Sequence, residues 1–244
     1  MQIIKFNTIE STNDYVKFLL KNQNIDEDFC VWALNQTKGR GQVNGNWIVE
    51  PFKNLTFSLC FKGRSDFGSN VFAISMLVAV TIQETLSNLG LLGVSVKWPN
   101  DILAYNKKVG GLLIETTYTE GKLKNIIMGV GLNINQECFD GLPKAGSLKS
   151  VYHRHFDLDD LFKKLIDNLE NAFYDYTTVN FNHLKQGYEG KLFRNGKPST
   201  FQIEDQFLVG IIQGVTDYGK LIVLHEDDQV QYYDMKEVSL LYNN

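Results

Sequence analysis

The chain has 244 residues, 43% of them hydrophobic and 21% charged, with a formal charge of -4, a balance that excludes disorder as the dominant state. The net negative charge disfavours bulk nucleic-acid binding, which basic proteins achieve by displacing counterions from phosphates. Cys30, Cys60 and Cys138 are too few and too far apart for a disulfide framework or a zinc knuckle, and the longest apolar run, residues 71–82, is well short of the ~20 needed to cross a bilayer; a cytoplasmic protein without membrane or nucleic-acid partners is expected.

In chain order, Ser11-Thr12-Asn13-Asp14 is a capping run, and Tyr15, Phe18 and Leu19 then share one helical face, which predicts a short amphipathic helix over 11–22. A strand is expected over 29–34. Another follows at 55–61, where Leu55, Phe57, Leu59 and Phe61 alternate with Thr56, Ser58 and Cys60, the pattern of a strand with one buried face. Residues 71–89 read as a mostly buried helix stopped by Gly90. Strand-like runs at 94–98, 102–105, 109–115 and 123–130, with polar turns at Asn106-Lys107 and Glu120-Gly121, predict a meandering, largely antiparallel sheet. A second amphipathic helix starts at the capping residue Asp157 and sets Leu161, Phe162, Leu165, Leu169 and Phe173 on one side. Beyond about Gly187, short β-prone runs broken by Asn195-Gly196 and Asp217-Tyr218-Gly219 suit a small β-barrel. The expected division is 1–187 for a catalytic domain and 188–244 for the β-rich tail.

Four segments carry chemistry. In the loop Gln36 to Trp47, Gly39, Gly41 and Gly45 let backbone N–H groups converge on an anion, and Arg40 can fork two hydrogen bonds onto a phosphate or carboxylate. It has neither the Gly-Lys-Ser/Thr ending of a P-loop nor the spacing of a dinucleotide fingerprint. In Lys97-Trp98-Pro99-Asn100-Asp101 a proline-fixed turn displays polar side chains beside an indole. In Lys107 to Glu115, a turn brings Lys108 to the start of a strand whose Gly110 and Gly111 clear a face for a flat ligand. In Gly129-Val130-Gly131-Leu132-Asn133, alternate glycines clear a face again, and Asn133 offers donor and acceptor to a purine or ribose. His153, His155, His183 and His225 show no metal-binding spacing and no Ser/His/Asp order, so nucleophilic hydrolysis has little support. Taken singly, each segment also reads as an ordinary turn, cap or strand end.

Taken in order, Glu10 to Asn13, the 36–47 loop, Lys97 to Asp101, Lys108 to Glu115 and Gly129 to Asn133 resemble the biotin protein ligases. The resemblance implies an α+β fold with a mixed, largely antiparallel sheet and helices on one side, like the catalytic core of class II aminoacyl-tRNA synthetases. It also implies a small C-terminal SH3-like β-barrel. Because the first motif begins at Glu10, the short type without an N-terminal DNA-binding domain is expected. By resemblance, Ser11, Thr12 and Gln36 meet the ureido end of biotin, with Asn13 beside them, and Gly111, Leu113 and Gly129 line its pocket. Gly39, Arg40, Gly41, Gln42 and Lys108 face its carboxylate and the phosphate joined to it. Trp47 and Asn133 belong to the adenine side, Asn100 and Asp101 lie near the phosphates or their magnesium ion, and Lys97 supports them.

Departures from the family pattern are Gln42, where a second arginine is common, the later position of Gly45, and Leu241 near the C-terminus. The implied reaction is attack of the biotin carboxylate on ATP, giving biotinyl-5'-AMP and pyrophosphate, then transfer of biotin to a lysine of a biotin carboxyl carrier protein. Both reactants of the first step are anions, so positioned positive charge is required, and Arg40 and Lys108 are the candidate catalytic residues with Mg2+. The glycine-rich loop is expected to order over the adenylate, and an exposed sheet edge could support a homodimer. Rival readings are a lipoate or octanoate ligase and a non-catalytic biotin sensor.

Overall fold

The computed structural model describes every residue except 24, 43–44, 69 and 243–244, so Val43 and Asn44 of the glycine-rich loop lie outside the described residues. Seven strands form the larger sheet: β1 (Gln2–Phe6), β2 (Phe29–Ala33), β3 (Leu55–Lys62), β4 (Val94–Lys97), β5 (Asp101–Ala104), β6 (Lys107–Thr119) and β7 (Lys122–Leu132). Their order across the sheet is β1-β2-β3-β7-β6-β5-β4. Only β1 and β2 pair in parallel, so the sheet is mixed and largely antiparallel.

Both faces of this sheet are covered. On β2, Cys30 and Trp32 point into a core shared with Leu55, Phe57, Leu59 and Phe61 of β3 and with helices α2 (Val71–Asn88) and α4 (Leu158–Asp175). Phe29 and Val31, the alternate residues, point the other way and pack with Cys60 and Ile127 against Val16 and Leu19 of α1 (Thr12–Asn22). The expectation of helices on one side is therefore corrected: α1 stands alone on the face opposite α2 and α4. For the same reason β3 is buried on both faces, Thr56, Ser58 and Cys60 included. Their polar alternation marks a face turned to α1 rather than to water. The strand β1 also escapes the sequence reading, because its alternation is short and its outer residues are exposed.

Helix α2 is apolar enough in length and composition to cross a bilayer, but it is the central core helix, with ten of its residues buried. Asn70 caps it by accepting from the backbone N–H of Ala73, and Gly90 follows it with a left-handed φ of 78°. Helix α3 (Leu148–Tyr152) leads to α4, where Asp157 caps by accepting from the N–H of Asp160. Helix α5 (Phe181–Gly190) precedes an antiparallel five-stranded second sheet, ordered β11-β10-β9-β8-β12, from β8 (Pro198–Ile203), β9 (Gln206–Val215), β10 (Leu221–His225), β11 (Val230–Tyr233) and β12 (Ser239–Leu241). Phe201, Ile212, Val215, Leu221 and Val223 of this sheet continue the main core. The β9–β10 turn is gripped from the larger sheet's side: the Trp98 indole N–H donates to the Gly219 carbonyl at 2.9 Å, Asn70 Nδ2 to the Asp217 carbonyl at 2.9 Å, and Lys185 pairs with the Asp217 carboxylate at 2.6 Å.

Candidate active site

The site is built on the α1 side of the large sheet, where β3, β7 and β6 lie side by side. Register places Ser58 opposite Gly129 and Gly129 opposite Leu113, while Gly131 lies between Thr56 and Gly111. Glycine at 111, 129 and 131 removes side chains from a surface that neighbours then approach closely. A Cβ at Gly129 would stand 2.4 Å from Asn13 Oδ1, and one at Gly131 2.4 Å from Trp47 Cε2. The indole of Trp47 thus lies directly over the Gly111–Gly131 pair, and the start of α1 sits over Gly129.

Above this floor is a cavity of about 250 Å³. At one end α1 and the β2 loop supply a hydrogen-bonded polar wall. The Thr12 backbone N–H donates to Gln36 Oε1 at 2.7 Å, and Thr12 Oγ1 lies 3.0 Å from the same oxygen. Asn13 Nδ2 donates to Glu115 Oε2 at 2.8 Å. Ser11 is the N-cap, accepting from the N–H of Asp14. At the other end lie Asn100, whose Nδ2 donates to the Leu112 carbonyl at 2.7 Å, and Asp101.

Arg40 and Lys108 enter this same cavity, each already paired with acids. The Arg40 guanidinium meets Asp14 at 3.0 and 2.6 Å and Glu115 at 3.2 Å. Burial opposes its charge, but Glu115 and Asp14 outweigh that and raise its pKa. Glu115 is held low despite burial by hydrogen bonds from Lys17 and Asn13 and by the charges of Lys17 and Arg40. Lys108 Nζ lies 2.6 Å from Asp101 Oδ1. Lys97 approaches the same carboxylate only to 4.0 Å, and burial first, then Lys108 and Lys144, lowers its pKa against the pull of Asp101. Arg40 and Lys108 are both part-exposed and able to exchange a carboxylate partner for a ligand anion.

Trp47, Asp101 and Lys108 also form part of the wall of a second cavity, of about 610 Å³, that extends to Asn133, Lys144 and Tyr242. Asn133 Nδ2 donates to the Gly146 carbonyl at 3.0 Å, while its Oδ1 is buried without a partner, as is the Trp47 indole N–H. Buried polar atoms seldom go unpaired; among the described residues Trp32 Nε1, Asn125 Oδ1 and His225 Nδ1 share this condition, and what sets Asn133 and Trp47 apart is that both line the second cavity.

Of the residues that the resemblance places at the ligand, all line the first cavity except Gly39, Lys97 and Asn133. Asn133 belongs to the second cavity. Gly39 closes the loop instead: its carbonyl accepts from the Trp47 N–H at 2.9 Å, and a Cβ there would lie 2.4 Å from the Trp47 oxygen. Arg40 and Asn46 form a bridge within that closure, and Gly41 N–H donates to Gly45 O at 2.6 Å. Sequence reading missed Asp14, taken as part of a cap, and Glu115, taken as the end of a strand. It also missed Ser58, whose only signal is its parity on β3. The expected magnesium ion has one carboxylate to meet, Asp101. Among the described residues no group of three or more His, Cys, Asp or Glu could hold a metal, so a cation here must take most of its ligands from phosphates and water.

The glycine floor, the polar wall at α1 and the acid-paired cations Arg40 and Lys108 make one two-chambered site. Residues 6–133 match the Biotin/lipoate A/B protein ligase family; the chain belongs to that family. Biotin--protein ligase 2 of Arabidopsis thaliana is 30% identical over 239 residues, covering 92% of this chain and 69% of that protein. The bifunctional ligase/repressor BirA of Bacillus spizizenii is 26% identical over 209 residues, and the match covers 84% of this chain but 64% of the Bacillus protein's length. In fold, the chain resembles the biotin protein ligase from Aquifex aeolicus, solved in complex with biotin and ATP, at a TM-score of 0.80 and 24% identity over 99% of both chains.

Proposed function

We propose that the chain is an ATP-dependent biotin protein ligase, making biotinyl-5'-AMP and pyrophosphate and then passing biotin to a lysine of a biotin carboxyl carrier protein. The observation that carries this reading is that Arg40 and Lys108 face one cavity, polar at its α1 end and joined past Trp47 and Lys108 to a second chamber with an unpaired Asn133 oxygen. Biotin takes the first chamber with its ureido group at Thr12 and Gln36, and the adenine lies near Trp47 and Asn133. The carboxylate and the α-phosphate then meet at Lys108 and Arg40. These cations leave Asp101, Asp14 and Glu115 to offset the charge of two approaching anions, an interaction strengthened where water is excluded. Asp101, freed of Lys108, would hold magnesium together with phosphate oxygens, and the metal would draw charge from the α-phosphate. Residues 1–187 act as the catalytic domain, related in layout to class II aminoacyl-tRNA synthetase cores, and 188–244 as an SH3-like domain that closes the second chamber. The enzyme works in the cytoplasm, and its exposed β1 edge is available for homodimer formation.

Calorimetry with biotin, lipoate and ATP, alone and together, tests the assignment. Biotin binding that tightens ATP binding, with no response to lipoate, is expected; selective lipoate binding would reassign the acyl group.

A further inference from the structure

We propose that Ser58, through Thr12, commits the polar end of the cavity to accept an N–H from its ligand, which makes it a specificity-determining positioning residue; the argument rests on the biotin-ligase reading above. Ser58 is fully buried on β3. Its Oγ lies 2.5 Å from Asn13 Oδ1 and 2.7 Å from Thr12 Oγ1. A third contact, Thr12 Oγ1 to Gln36 Oε1 at 3.0 Å, continues the chain to the cavity wall.

Both amides in this chain have fixed orientations. Asn13 Nδ2 donates to Glu115 and to the Leu113 carbonyl, so its oxygen faces Ser58. Gln36 Oε1 accepts from the Thr12 backbone N–H, so its oxygen faces the Thr12 hydroxyl. Three oxygen–oxygen contacts therefore share two protons, one from each hydroxyl, because amide oxygens only accept. The proton of Ser58 belongs in the shortest, fully buried contact, since two acceptors facing each other there would cost most. Ser58 can then only accept from Thr12, at the next shortest contact. The deficit falls on the last pair, leaving the oxygens of Thr12 and Gln36 side by side without a proton, both on the cavity wall.

An entering N–H donor supplies the missing proton. A cyclic urea carries such a donor, whereas an alkyl chain or a dithiolane ring has none. The closed end therefore selects a urea over the other acyl groups that this kind of ligase could activate, and Ser58 sets that preference without touching the ligand. Without the Ser58 hydroxyl, Thr12 turns its proton to Gln36 and the unmet acceptor pair disappears.

Calorimetric titration of the full chain with biotin and, separately, with ATP tests this on Ser58→Ala, Thr12→Val and the double variant, with thermal melting as a check on folding. Biotin affinity should fall about tenfold in Ser58→Ala with ATP affinity unchanged, and the double variant should bind no more weakly than the poorer single one, because one residue acts through the other. Ser58→Cys, similar in size and a weak donor, should fall in the same direction and serves if alanine destabilises the fold. Wild-type biotin affinity in both Ser58 variants, equal losses for biotin and ATP, or additive losses in the double variant would overturn the role of Ser58 alone. Absence of biotin binding by the unaltered chain would instead overturn the ligase reading and this proposal with it.

Discussion

Arg40 and Lys108 show how charge is stored in the site. Each cation is held by acids that a substrate anion must displace, Asp14 and Glu115 for Arg40 and Asp101 for Lys108. Removing one preorganised charged contact of this kind costs on the order of 3 kcal/mol, roughly a hundredfold in rate. Arg40→Ala and Lys108→Ala should each lose about that much in transfer of labelled biotin at saturating ATP; wild-type transfer would remove the residue from the reaction. Asp14→Asn should act oppositely on binding, lowering the biotin concentration for half-maximal rate because Arg40 loses a competing partner. Arg40 stood out in the sequence as an arginine among glycines, whereas Lys108 was singled out through the family resemblance, since a lysine pair alone reads as a solvated turn. Their acids were not, since Asp14 reads as helix capping and Glu115 as a strand end, and only the crossing of α1 over β6 brings them together.

At the scale of elements, Glu115 ties β6 to α1 through Asn13 and Lys17 and to the loop through Arg40. Its carboxyl titrates below the ordinary range in the folded chain. Its contribution to stability is thus present above the unfolded pKa of about 4.3 and is lost as pH falls through the lower folded value. Glu115→Gln should lower the melting temperature at pH 7, and the gap from wild type should close as pH falls to about 3; a constant gap would show that the charge is not responsible. The glycine floor gives a second test. A side chain at Gly131 would collide with the Trp47 indole, so Gly131→Val should abolish adenylate formation while the chain still folds, a result read from pyrophosphate release beside circular dichroism. Alternate glycines on β7 were readable as a cleared face. That β3 is buried on both faces was not, because one alternating strand cannot reveal which helix covers its polar side.

Across the whole molecule, the two sheets share a continuous core, and the β9–β10 turn clamps Trp98 beside Asn100 and Asp101. Loss of the Trp98–Gly219 hydrogen bond in Trp98→Phe should cost about 1 kcal/mol. Ending the chain at residue 190 should cost far more, exposing Val96 and Trp98 and lowering the melting temperature sharply; an unchanged melting curve would show that the larger unit stands alone. Sequence texture placed the change near Gly187 and its turns, but it could not show that the small sheet completes the core and one wall of the second chamber. The central claim, that biotin and ATP meet in one continuous site between Arg40 and Lys108, is tested most directly by exchange of labelled pyrophosphate into ATP. Exchange should require biotin and fall about a hundredfold in Arg40→Ala and Lys108→Ala. Exchange that proceeds equally without biotin, or is supported equally by lipoate, would contradict it.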